Sequence, residues 1–151
     1  MPITVDTPAE LLSMAGTDLG HSSWIEVTQD DIDMFADATK DHQWIHVDPE
    51  RASSGPFGTT IAHGYLTLAL IIPLWSELLT VEKASMGINY GLNKVRFPAP
   101  VPVGSRLRLS GSLASIEAID GGVQLTADLV MEIEGGSKPV CAAQAVYRIY
   151  E

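Results

Sequence analysis

Cysteine is almost absent from this chain. Cys141 stands alone in a run of small residues (Val140, Ala142, Ala143), so no internal disulfide can form and a reducing, cytoplasmic setting is expected. Positive charge is scarce too: nine Lys and Arg face nineteen Asp and Glu, for a formal net charge of -10. Nucleic acid and anionic membrane both need a basic footprint, so neither is expected as a main partner. Long apolar runs are missing. The most apolar stretch, 65–79, is too short to span a bilayer and carries Pro73 and Glu77. The first residues lack a basic segment followed by an apolar core, so no secretory leader is expected. Several catalytic patterns are absent as well. There is no nucleophile-elbow serine, no Gly-rich phosphate loop followed by Lys, and no Gly-x-Gly-x-x-Gly. His42 and His46 are four apart, but no helical period supports them and no Glu neighbours His42, so a zincin-type metal site is not expected. Neither a metal nor a nucleotide cofactor is called for.

What is present suits one globular domain over 1–151, long enough to bury about two-thirds of its unfolded surface. Residues 24–28 read as a short strand. Thr28 with Asp31 three residues on resembles a capping box, and Ile32, Phe35, Ala36 and Thr39 repeat at helical spacing, so 29–39 is predicted helical. Residues 40–48 show no period and read as a loop. Asp48 and Pro49 are a helix start, as N-cap and first helical residue, and that helix ends by Gly55-Pro56. A second helix is predicted from His63-Gly64 to about Leu79. It is apolar on almost every face, so other structure must wrap it, and Pro73 should bend it. Strands are predicted at 86–97, 105–118, 122–134 and 138–150, with Asp120-Gly121-Gly122 and Gly135-Gly136-Ser137 as reversals. In 122–134 the alternation puts Val123, Leu125, Ala127, Leu129, Met131 and Ile133 on one face. One buried helix followed by long antiparallel strands implies an α+β hot-dog layout, a curled sheet around a long central helix. Such a sheet has exposed edges, and pairing two of them makes a homodimer the expected assembly.

The densest cluster of titratable groups is the loop 40–48. A carboxylate at Asp41 and an imidazole at His46, five residues apart, can both reach one small molecule, hold a water and move its protons. The alternative is a polar loop whose Asp caps backbone and whose His fills a gap. Asp48 is explained by its cap, and His42 by a surface position. At Gly64 a helix start offers unpaired N–H groups, and the missing side chain permits close approach of an oxygen that gains negative charge. Gly64 could equally serve tight helix–sheet packing, and His63 reads as a core or capping residue. From Lys83 to Ile116 there is no acid, while Lys83, Lys94, Arg96, Arg106 and Arg108 fall there. That strip would suit a small phosphorylated carrier, or it is a chance gap on a solvated sheet face.

Three segments taken together resemble the (R)-specific enoyl-CoA hydratase family, also called hydratase 2 or MaoC-like dehydratases. Asp41-His42-Gln43-Trp44-Ile45-His46-Val47-Asp48-Pro49 with Ala52 is similar to a signature reading Asp-x-Asn-Pro-Leu/Ile-His-x-Asp, then a small residue. Ile61-Ala62-His63-Gly64 resembles the family's start of the central helix. Asn93 to Val101 with Gly104 resembles its strand and Pro-Val-x-x-Gly turn. Gln43 and Trp44 depart from the family's Asn and Pro. The resemblance implies a hot-dog homodimer acting on trans-2-enoyl thioesters of coenzyme A or acyl carrier protein. Asp41 and His46 would activate the water that adds at C3, and would supply a proton to C2. The Gly64 N–H would stabilise the enolate-like oxygen, with Gln43 and His63 in support and Lys94 and Arg96 on the coenzyme A phosphates. The product would be the (3R)-hydroxyacyl thioester, and no cofactor beyond the carrier is implied. Two rivals remain: a hot-dog acyl-CoA thioesterase, whose carboxylate would sit on or beside the central helix, and a non-catalytic acyl-chain binder or subunit of a dehydratase complex.

Overall fold

The computed structural model describes residues 1–151. The chain runs through β1 (Ile3–Val5), a 3-10 turn (Pro8–Ser13), β2 (Asp18–His21), β3 (Ile25–Glu26), α1 (Gln29–Thr39), α2 (Trp44–Val47) and α3 (Pro49–Ser53). It continues through α4 (Gly64–Ala69), α5 (Ile71–Trp75), β4 (Leu79–Val81), β5 (Met86–Arg96), β6 (Arg106–Ile119), β7 (Gly122–Ile133) and β8 (Cys141–Tyr150). The main sheet is antiparallel, ordered β2-β6-β7-β8-β5, and β3 also pairs with β6. A register shift in β6 between Leu113 and Ser115, and two in β5, bend the sheet as bulges do.

The alternation in β7 decides which sheet face is the core. Val123, Leu125, Ala127, Leu129 and Met131 are buried, as are Leu107, Leu109 and Leu113 of β6. They pack against Leu66, Ile71, Leu74 and Leu78 from the central helical segment, in one cluster of 25 buried residues. This is the expected hot-dog layout. Leu11, on the N-terminal 3-10 turn, joins the same core fully buried. That turn, β2, and the parallel pairing of β1 with β4 carry too short a pattern to read in the sequence.

Three expectations need correction. The single long helix is two short ones, α4 and α5, jointed at Leu70. Pro73 has no N–H to give the Ala69 carbonyl and its ring would strike that carbonyl, so the ladder stops after Ala69. Pro73 then sits in the first turn of α5, where no N–H is needed. Second, that segment is wrapped on one side only: Tyr65, Ile72 and Pro73 are exposed. Third, the loop 40–48 contains one helical turn, α2, too short to show a period. α1 and α3 fall where predicted, with the Thr28–Asp31 capping box closed in both directions and the Asp48 carboxylate accepting from the Arg51 N–H at 3.1 Å. No helix is long and apolar enough to cross a membrane.

Candidate active site

α1 ends at Lys40, which takes a left-handed backbone (φ 67°) and turns the chain outward into Asp41. The Asp41 carboxylate is exposed, and its Oδ1 accepts the Gln43 N–H at 3.4 Å, an Asx turn that leads into α2. α2 carries His46 inward, where only 6% of its surface remains exposed. The His46 Nδ1 lies 2.7 Å from the Ile61 carbonyl. A carbonyl can only accept, so Nδ1 carries a hydrogen, and in the neutral ring Nε2 holds the lone pair.

The segment 60–62 that presents this carbonyl is pinned on both sides. Ile61 N–H donates to the Ile45 carbonyl, Ala62 N–H to Val101 and Val103 N–H to Thr60. The Pro-Val-x-x-Gly stretch therefore braces the strand leading into α4. His63, the N-cap of α4, is 3% exposed, and its Nε2–H donates to the Asp41 carbonyl at 3.0 Å. That leaves its Nδ1 as a buried lone pair with no hydrogen-bond partner. The His46 and His63 rings stack, centroids 3.9 Å apart and planes 23° apart, and Phe35 of α1 packs on His63 at 4.9 Å.

Asp41, His46 and His63 each place one ligand-type atom within 4.8 Å of the others. Two imidazoles and a carboxylate are also a donor set that could hold a divalent transition metal. With Gly64, Tyr65 and Phe97 they line a cavity of about 220 Å³. A neighbouring cavity of about 280 Å³ shares His46, Gly64 and Phe97 with it and runs on toward Val140. Gly64 is the first residue of α4, so its N–H has no intrahelical acceptor. A side chain at Gly64 would meet the Phe97 ring at 3.2 Å, so glycine keeps this end of the helix open. With only six residues in α4, a bare N–H donor is what the helix end offers, more than a macrodipole.

Other expected residues fall elsewhere. Lys94 and Arg96 line a different cavity with Asp128 and Gln144, sharing no residue with the two above. The basic strip is largely neutralised: Lys83 pairs with Asp6, Arg106 with Glu134 and Arg108 with Glu132. Gln43 contributes its N–H to the Asx turn, while its exposed side chain makes no cap bond. Trp44 lies under the Arg51 guanidinium, 4.3 Å from its centroid, and against Gly55, tying α2 to α3. His42 pairs outward with Asp37 at 2.8 Å. Cys141 is buried, and that burial pushes its thiol up to about 11, so it is kept protonated and is no nucleophile. Phe97 sits on both cavities. It lies within the Asn93–Val101 segment that carries the family resemblance, but nothing in the sequence assigns it a role beyond the strand end before Pro98.

A family model described as "MaoC like domain" matches residues 10–132. The 3-hydroxyacyl-thioester dehydratase Z of Mycobacterium tuberculosis is 54% identical over 146 residues, covering 96% of this chain and 97% of that protein. Among solved structures, the monoamine oxidase regulatory protein from Archaeoglobus fulgius superposes with a TM-score of 0.78 at 24% identity, over 100% of this chain and 98% of that one. The R-hydratase PhaJ1 from Pseudomonas aeruginosa gives a TM-score of 0.73 at 23% identity, over 97% and 87%. At those identities the structures speak for the fold.

Proposed function

Because this chain belongs to the MaoC-like family and is a hydro-lyase of the dehydratase kind, we propose that it interconverts trans-2-enoyl and (3R)-3-hydroxyacyl thioesters, with Asp41 and His46 as the acid/base pair. In hydration, a water lies between the Asp41 carboxylate and the free Nε2 of His46. The pair removes one proton as the water oxygen bonds to C3. The double-bond electrons move onto the thioester oxygen, which accepts from the Gly64 N–H, and the proton returns to C2. Dehydration runs the same steps backward.

The convergence of Asp41, His46 and His63 within 4.8 Å, in a cavity that also holds Gly64, carries this reading. His63 supports by packing on His46 and holding the Asp41 carbonyl, and Gln43 by its turn. Lys94 and Arg96 remain proposed contacts for the carrier phosphates, outside the catalytic cavity. A homodimer is proposed through β5, which lies at the sheet edge and is exposed along almost its whole length.

The thioesterase rival would use a carboxylate on or beside the central helix, and beside it Asp41 lines the cavity at Gly64, so a crotonyl-CoA assay decides between the two. Glu77 is the only acid in 64–79, and its two oxygens accept from the N–H and the hydroxyl of Ser23, at 2.7 and 2.9 Å. Crotonyl-CoA offered to wild type, Asp41→Asn and His46→Gln separates the readings. Loss of enone absorbance without free thiol, reduced by about 10²-fold or more in each variant, is the expected result. Thiol release would identify a thioesterase, and binding without turnover an acyl-chain binder.

A further inference from the structure

We propose that Gln29 and Thr60 form a clamp that positions His46, an inference that rests on His46 being the base of the proposed reaction. The need for a clamp follows from the length of α2. Four residues cannot hold a helical turn by their own hydrogen bonds, so the position of His46 must come from outside that turn.

The Gln29 amide supplies it. Its Nε2 lies 2.8 Å from the His46 carbonyl and 2.9 Å from the Asp33 carboxylate. Both partners can only accept, which fixes the amide's orientation: both hydrogens are used on that side, and Oε1 faces the other way. Oε1 accepts the Thr60 hydroxyl at 2.6 Å. Thr60 is 1% exposed, so its hydroxyl has exchanged water for this one amide oxygen.

Thr60 is bonded in the chain to Ile61, whose carbonyl takes the His46 Nδ1–H. The contacts therefore close a ring, running from the His46 carbonyl through Gln29, Thr60 and Ile61 back to the His46 ring. One side chain from α1 thus ties the main chain under the imidazole to the segment whose carbonyl sets its tautomer, adding to the main-chain bonds at Ile61, Ala62 and Val103. Gln29 and Thr60 line neither of the two cavities that hold His46, so their part is positioning.

The test uses Thr60→Val, which keeps the shape and loses the hydroxyl, Thr60→Ser, which keeps the hydroxyl, and Gln29→Glu, which keeps the length and loses both donors. Thr60→Val and Gln29→Glu are expected to lower kcat for crotonyl-CoA about 10- to 100-fold with KM little changed, and Thr60→Ser to restore most of it. ¹⁵N NMR of the His46 ring, recorded without substrate, should show one Nδ1–H tautomer in wild type and Thr60→Ser. In Thr60→Val and Gln29→Glu that signal should mix or broaden by exchange. If the wild type turns over no enoyl thioester while Thr60→Val and Gln29→Glu still lose the single tautomer that the wild type shows, the lyase reading falls and the clamp stands. An unchanged ring signal in both variants overturns the clamp, whether kcat holds or falls only in step with the melting temperature.

Discussion

At the scale of single residues, the site is defined by which lone pairs remain free. Main-chain carbonyls take the Nδ1–H of His46 and the Nε2–H of His63, and Asp41, His46 and His63 each bring one ligand-type atom within 4.8 Å of the others. That is what an acid/base pair needs, and it is also what a Zn²⁺ ion would take. The proposed hydration requires the His46 lone pair, so micromolar Zn²⁺ added to the purified protein is expected to inhibit, with full recovery on EDTA. The opposite result, EDTA abolishing the activity of the protein as purified, would replace the metal-free mechanism. The proposed acid/base pair can be picked out in the sequence because both members fall within one short loop. Gln29 and Thr60 are not legible, since their contacts reach 17 and 31 residues away and a polar residue at a helix start reads simply as part of the cap.

At the scale of elements, local rules decided well where the chain signals locally. The capping box at Thr28, the Asp48-Pro49 start and the alternation of β7 all stand where their chemistry puts them. They failed where two local rules competed: apolar periodicity carried the central helix through Pro73, while the missing N–H split it at Leu70. The end of α1 has a conflict of its own. Lys40 occupies the left-handed C-terminal position that glycine fills without strain, and its only added contact is from Nζ to the Asp37 carbonyl at 3.0 Å, on the surface. A non-glycine residue there costs about 1–2 kcal/mol, and glycine returns about 0.5–1 kcal/mol of that through its freer unfolded chain. Lys40→Gly should therefore raise stability by about 0.5–1 kcal/mol in urea unfolding, and Lys40→Val should lower it. Because the turn into Asp41 is kept, kcat of Lys40→Gly should match wild type. A loss of stability in Lys40→Gly would show that the lysine contact outweighs the backbone strain.

At the scale of the whole molecule, one side of the fold is unfinished. β5 is the last strand of the sheet, bonded to β8 on one side only, and Met86, Ile88, Tyr90, Leu92 and Phe97 are exposed along it and at its end. The outer face of the central helix adds Tyr65 and Ile72. A cavity of about 290 Å³ opens between the two, lined by Leu68, Ile72, Leu92 and Tyr147 among others. A free 11-residue edge carrying so many apolar side chains would invite uncontrolled pairing, and only Lys94 and Arg96 at its far end blunt it. A second copy of the chain on this edge removes the liability and roofs the cavity, which is why the dimer is proposed here and not at β2. Ile72 tests it cleanly. It is 49% exposed in the single chain, so Ile72→Asp costs the subunit's own fold little, yet it would bury a charge against the partner. Light scattering on a sizing column should give the dimer mass for wild type and the monomer mass for Ile72→Asp, with unchanged far-UV circular dichroism. If the variant stays dimeric, the interface lies elsewhere and the exposed face of β5 needs another occupant.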